Sequence, residues 1–492
     1  MPKTPKNLVF IFTDQQRFDT LAAYGNHKIR TPNLNRLAEQ SAVFEHAYVA
    51  QPVCTPSRAT IMTGLYPHTH TLTGNNIALP EDTPTIAELV NAHDFQRGYI
   101  GKWHLGNEIF AQHGFDHWIS IEDNYVKHYS PDKDRSQNCS YHHFLKKHGF
   151  SPDKDGLDFS YFSREFATRV PAEYSKPAFI AEEAEKYIAE NKDNPFILYV
   201  NFLEPHTPYH SAYDEMYDPD EIDLPPNFDK QPSDDAQLKY QAIQQKAREG
   251  AYWPLEDEKS WRKQIAYYWG LVSLVDTYVG KILDALKEQG LEDDTAIVFT
   301  SDHGDMMGDY GLIAKGVMFQ PSVRVPLLIR VPGVTDTNPT IEKPVSHIDL
   351  VATLLDILGQ PWQGRTQGKS LYPVIKGEEE LDENDVFIEY LNASIKADGQ
   401  FKGVTLTGEL HQKAMATYPK PTAERTLITE DLWRLTLIES GEHELYDLNT
   451  DPYERQNLYH DPNYEEQVVR LTRKFQNWQT ECRDGIKFDL SV

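Results

Sequence analysis

Cysteine is scarce in this chain: three of 492 residues, at positions 54, 139 and 482. An odd, sparse set builds no disulfide framework and fits a reducing compartment. Long apolar runs are also missing. No stretch approaches the ~20 residues that span a bilayer, and mean hydropathy is −0.59. The first apolar run, 8–12, is shorter than a signal-peptide core of ~7–15 residues, and no small-residue cleavage site follows it. With Met1 as the native start, these features predict a cytoplasmic protein with no membrane partner. Positive charge is the third shortage. Lys and Arg number 48 against 75 Asp and Glu, a formal net charge of −27. That argues against a nucleic-acid partner, because phosphate backbones need a basic surface. It also repels long polyanions, so an anionic substrate would need a local positive pocket and small substrates are favoured.

What is present is an alternation of strand-like and helix-like segments in a chain too long for one simple domain. The continuous apolar run at 8–12 reads as a strand buried on both faces, and 196–202 and 296–300 read as further strong strands. Further strands are expected at 43–49, ending near Ile100-Gly101, and at 325–330. Helices are expected after Thr31-Pro32 and Thr83-Pro84, over 265–286 with Gly290 as a stop, and over 347–358. This is the α/β pattern of a large mixed, mostly parallel sheet sandwiched by helices. Two polar stretches, about 107–175 and about 210–260, read as insertions into a catalytic region spanning 1–375. Residues 376–492 read as a smaller C-terminal α+β subdomain, with a hairpin around Glu430-Asp431, a strand at 444–448 and a helix at 464–482.

Polar motifs follow directly after the expected strands: Asp14-Gln15-Gln16-Arg17, Lys102-Trp103-His104, Glu204-Pro205-His206 and Asp302-His303-Gly304-Asp305. Open α/β sheets bind ligands at the carboxyl ends of their strands. Separate segments therefore deliver Asp, His and Lys to one edge, which predicts a polar, metal-bearing site. Cys54 has its own context. Pro56 suits a first helical turn, Gly64 a helix end, and Arg58 lies one turn in. Cys54 is thus expected at a helix N-terminus, where free N–H groups favour an anion. Alone, it would read as a buried structural thiol. The histidines at 113, 117, 128, 142, 143 and 148 show no metal-ligand spacing and read as loop or pocket residues. Asn75, Asn76 and His117-Trp118 are candidate sugar contacts.

Cys54-x-Pro56-Ser57-Arg58, followed by Met62-Thr63-Gly64-Leu65-Tyr66-Pro67-His68, resembles the signature of type I sulfatases, whose cysteine is oxidised to formylglycine. The resemblance covers about 7–375, and more weakly Leu445-Tyr446-Asp447-Leu448 and Asp451-Pro452-Tyr453-Glu454. It implies the fold of the alkaline phosphatase superfamily. It implies one divalent metal, Ca2+ in most members, held here by Asp14, Gln15, Asp302 and His303. Gln15 stands where a second Asp is frequent and His303 where Asn is, so Mn2+ or Zn2+ would also suit the set. Arg58 would orient the formylglycine, and Lys102 and Lys315 would clamp sulfate oxygens. His104 would be the base, and His206, with Lys315, would protonate the leaving oxygen. The implied activity is hydrolysis of a small sulfate ester, a sulfated sugar or an aryl sulfate, to alcohol and inorganic sulfate after maturation by a formylglycine-generating enzyme. The alternatives are a phosphonate monoester or phosphodiester hydrolase of the same superfamily, or a catalytically silent metal-binding homologue.

Overall fold

A computed structural model describes residues 4–91, 93–156, 159–230, 236–250 and 253–490. Eight strands form the central sheet: β1 (Asn7–Asp14), β2 (Ala42–Phe44), β3 (Gln96–Gly101), β4 (His117–Ser120), β5 (Phe196–Pro205), β6 (Thr295–Ser301), β7 (Leu327–Arg330) and β8 (Thr340–Ile341). Their order is β8-β2-β7-β6-β1-β5-β3-β4. All run parallel except β7, which is antiparallel to both β2 and β6. β1 shows why its run is continuously apolar. Leu8, Phe10 and Phe12 enter one core, and Val9 and Ile11 enter the other, so both faces demand hydrocarbon. The first core is closed by α2 (Cys54–Thr63) and α5 (Leu350–Ile357). The second is closed by α1 (Pro32–Ala38), α3 (Lys176–Glu190) and α4 (Glu258–Glu288). A large mixed sheet between two helical layers is the architecture expected.

Two expected strands divide. Segment 43–49 contributes β2 to the central sheet and Ala47–Tyr48 to a separate three-stranded sheet. Segment 325–330 does the same around Pro326, with Arg324–Val325 paired to Ala47–Tyr48 and β7 in the central sheet. Proline has no N–H for a ladder, so the chain changes sheets there. The helix expected after Pro84 is one turn, Ile86–Leu89, closed by a capping box between Thr85 and Glu88. The helix over 347–358 opens as a 3-10 turn at His347–Asp349.

After these elements comes an antiparallel meander of β9 (Val386–Asn392), β10 (Thr422–Ile428), β11 (Trp433–Ile438) and β12 (Glu444–Asp447). It is covered by α6 (Glu465–Cys482), which buries Val468, Leu471, Phe475 and Trp478. No helix among the described residues is long and apolar enough to cross a membrane.

β1 sits where the topology reverses. β5, β3 and β4 follow on one side, and β6, β7, β2 and β8 on the other. Such a switch point opens a crevice at the carboxyl ends of the strands, and Asp14 is the last residue of β1.

Candidate active site

Asp14 at the end of β1, Lys102 just after β3, and Asp302-His303 just after β6 meet the N-terminus of α2 at that crevice. All ten residues of α2 are buried, and Gly64 ends it in the left-handed region at φ 66, its N–H bonded to the Thr60 carbonyl. Cys54 therefore lies at the first position of an enclosed helix, with its free N–H groups around it.

Arg58 organises the floor. Its Nη2 donates to Asp14 Oδ2 at 2.7 Å, its Nε to Asp302 Oδ2 at 2.9 Å, and its Nη1 to Asn201 Oδ1 at 2.6 Å and the Lys102 carbonyl at 2.8 Å. Lys102 Nζ also donates to Asp14 Oδ2, at 2.6 Å. Burial disfavours charge on Asp14, yet Lys102, Arg58 and Lys315 outweigh it and hold its carboxyl well below the usual range. Burial likewise opposes charge on Arg58 and Lys102, but the two aspartates keep Arg58, and Asp14 keeps Lys102, firmly cationic. Removing one member would strand the others without solvent, at a cost of ~3–5 kcal/mol.

With both Oδ2 atoms occupied by cations, the Oδ1 atoms turn toward one point. His303 Nε2 lies 3.7 Å from Asp14 Oδ1, 3.5 Å from Asp302 Oδ1 and 3.2 Å from Cys54 Sγ. Cys54 Sγ lies 3.7 Å from Asp14 Oδ1. His303 Nδ1 shares a hydrogen with the Gly304 carbonyl at 2.9 Å, which leaves Nε2 as the nitrogen that could hold an ion. Burial pulls the His303 pKa down and Asp302 more than reverses that, so the point favours positive charge. Asp14, Cys54, Asp302 and His303 are the one group among the described residues whose ligand atoms, within 4.8 Å of one another, could hold an ion. Two carboxylate oxygens and an imidazole nitrogen facing one another fit a divalent cation. Burial and Asp14 oppose ionisation of Cys54, but Lys315, Lys102 and His303 together bring its pKa below that of a free thiol.

Gln15 follows Asp14 in the left-handed region, at φ 74. Its Nε2 donates to Asp305 Oδ2 at 2.5 Å and to the Tyr209 hydroxyl at 2.8 Å, and its Oε1 accepts from Lys315 Nζ. His104 is also left-handed, at φ 60, with its backbone N–H held by Glu108. Such conformations cost ~1–3 kcal/mol and persist where surroundings over-determine them. His104 Nε2 contacts Asn76 Oδ1 at 3.1 Å, and its buried Nδ1 has no partner among the described residues. His206 Nδ1 bonds the Thr207 carbonyl at 2.8 Å. Burial, with Lys102 beside His104 and Lys315 beside His206, drives both imidazole pKa values far below normal.

All ten residues singled out from the sequence come together here. Cys54, Lys102, His104 and His206 line an open cleft of about 490 Å3. Gln15, His206 and Lys315 line an adjoining chamber of about 300 Å3. Asn75 and Asn76 also line the cleft. His117 and Trp118 do not: His117 packs on Tyr187, and Trp118 stacks among Tyr99 and Trp103. Of the six scattered histidines, His128 alone lines the cleft. Sequence reasoning missed Asn201, Asp305, Tyr209 and Glu108. Asn201 had a signal, an amide interrupting an apolar strand, and Asp305 stood inside a quoted motif. Tyr209 and Glu108 had none.

A family model described as sulfatase matches residues 6–360. The chain is 28% identical to an ulvan-active sulfatase of Formosa agariphila, over 98% of this chain and 83% of that protein. It is 28% identical to an arylsulfatase of Clostridium perfringens, over 95% and 93%. Among solved structures, a phosphonate monoester hydrolase from Silicibacter pomeroyi superposes with a TM-score of 0.77 at 24% identity, covering 97% of this chain and 96% of that one. That likeness is one of fold. With the family's model spanning most of its length and sulfatase relatives nearly all of it, the chain belongs to the sulfatase family of sulfuric ester hydrolases.

Proposed function

We propose that Cys54 is converted to formylglycine by a formylglycine-generating enzyme and that the protein then hydrolyses a small sulfate ester to alcohol and inorganic sulfate. The observation that carries this reading is Cys54 at the N-terminus of a buried helix, with Arg58, Lys102 and Lys315 supplying positive charge beside it. In a chain of net charge −27, that local concentration suits a tetrahedral oxyanion. The ulvan-active relative supports a saccharide sulfate as the substrate class.

The hydrate of a formylglycine supplies two hydroxyls, one to attack sulfur and one whose deprotonation lets the aldehyde re-form as sulfate departs. A divalent ion at Asp14, Asp302, His303 and Gln15 would acidify the attacking hydroxyl. Ca2+ is the ion the family favours, and Mn2+ or Zn2+ are the alternatives an imidazole ligand invites. Metal analysis of the purified protein decides among them.

The chain's own residues do the rest. Arg58, fixed by Asp14, Asp302 and Asn201, keeps positive charge beneath residue 54. Lys102 and Lys315 face the sulfate oxygens and offset the charge that builds on them. His104 lines the cleft with Cys54 and is held neutral, the state needed to take a proton from the second hydroxyl. His206 is also held neutral, its Nδ1 hydrogen committed to Thr207. The proton for the leaving oxygen is therefore assigned to the Lys315 ammonium, with His206 Nε2 aligning it.

A phosphonate monoester or phosphodiester hydrolase is the second reading, favoured by one observation. Two cavities meet at His206, and a phosphorus ester of those classes carries two organic substituents where a sulfate monoester carries one. The ratio of kcat/KM for phenyl sulfate to that for phenyl phenylphosphonate, on converted protein, separates them. A ratio above one upholds the sulfatase reading, and a ratio below one transfers the assignment.

A further inference from the structure

The chamber beyond His206 is lined by two lysines, Lys246 and Lys315. Its walls also include Gln15, Trp253 and Gln264, and no Asp or Glu among the described residues lines it. Gln264, on α4, is 4% exposed, and its Nε2 has no partner among the described residues. The buried Trp253 Nε1 has none either. Both nitrogens are closed off from solvent, so the two side chains wall the chamber rather than donate into it.

Lys246 lines the chamber, with its side chain partly open to solvent. A Cβ at Gly403 would stand 3.6 Å from Lys246 Nζ, so the ammonium sits against the Lys402-Gly403 turn. Lys402 is committed to the Tyr390 hydroxyl at 2.8 Å. A volume of about 300 Å3 is at the small end for ligand sites and suits one ring with its substituents.

We propose that this chamber is a subsite for a second anionic substituent of the substrate, a carboxylate or a second sulfate on the ring that bears the scissile ester, with Lys246 as its ion partner. This rests on the sulfatase reading, because His206 and Lys315, assigned to the leaving oxygen, form its inner wall. Lys246 is then a specificity-determining residue that takes no part in sulfate cleavage.

The test uses 3- and 4-sulfooxybenzoate with the corresponding sulfooxybenzamides, which match in size and lack the second charge. Converted wild type, Lys246→Met and Lys246→Glu are compared on each. The expected result is that Lys246→Met lowers kcat/KM for a benzoate about tenfold, through KM, and leaves the benzamides within about twofold. Lys246→Glu should lower the benzoate further. Equal factors on both substrates, or no change on either, overturn the proposal. Calorimetric binding of the same esters to Cys54→Ala protein reads the subsite without turnover. If no ester is hydrolysed by converted wild type, the sulfatase reading falls. A benzoate preference that Lys246→Met abolishes in the calorimeter would still uphold the subsite, and no such preference would overturn it.

Discussion

Asp14 Oδ2 receives two cations, Arg58 and Lys102, and that one atom sets the charge balance of the site. It frees Oδ1 for the ion-binding point and keeps both cations in place. Lys315 stands apart, tied to the Gln15 amide, which Asp305 and Tyr209 orient in turn. If Lys315 supplies the leaving-group proton, its loss should depend on the leaving group. Lys315→Met is expected to lower kcat/KM by more than about 100-fold for an alkyl sulfate and by about tenfold for 4-nitrophenyl sulfate, whose phenoxide needs no acid. Equal losses on the two esters would reduce Lys315 to a sulfate clamp. Residues that follow a strand directly were legible from sequence because strand ends announce the crevice. Asp14, Lys102, Asp302 and His303 are of this kind. Tyr209 and Asp305 act by holding other groups, and a partner 100 or more residues away in the chain, as Asp305 is from Gln15, leaves no local pattern; Glu108 holds the nearby Trp103 and His104 N–H groups, a backbone contact that residue type does not announce.

At the scale of elements, β3 and β5 place two of these groups by an unusually close approach. Gly101 ends β3 at φ +124, and a Cβ there would stand 1.9 Å from the Asn201 carbonyl oxygen. Only glycine allows that contact, and it aims Lys102 and Asn201 at Arg58 together. Gly101→Ala should therefore destabilise the protein by more than about 3 kcal/mol in urea unfolding. Gly98→Ala on the same strand meets the Tyr187 ring, at 2.8 Å, rather than backbone, and should cost less. The reverse order would mean that β3 is not pinned at its end. Runs buried on both faces, such as β1, β5 and β6, were legible because composition alone defines them. Segments 43–49 and 325–330 were not, since each is shared between two sheets around a common corner. Apolar content does not reveal which partner each half takes.

The whole molecule shares its cores across residue 375. Met306, Tyr310 and Phe319 cluster with Val386, Ile388 and Ile428, and Tyr66 and Ile348 cluster with Phe387 and Trp478. His68, at the end of the signature segment, bonds Glu389 at 2.6 Å. We propose that 1–375 and 376–492 form one cooperative unit: the intact protein should melt in a single transition, and a chain ending at 375 should not be recovered as a folded monomer. A stable, folded 1–375 fragment would contradict this. The central claim, that residue 54 reacts as formylglycine, has a direct measurement. Sulfate released from 4-nitrophenyl sulfate is followed across preparations in which the fraction of chains converted at Cys54, read from peptide mass, varies. The account predicts activity proportional to that fraction, falling to zero in unconverted protein. Activity independent of conversion, or none at full conversion, would contradict it.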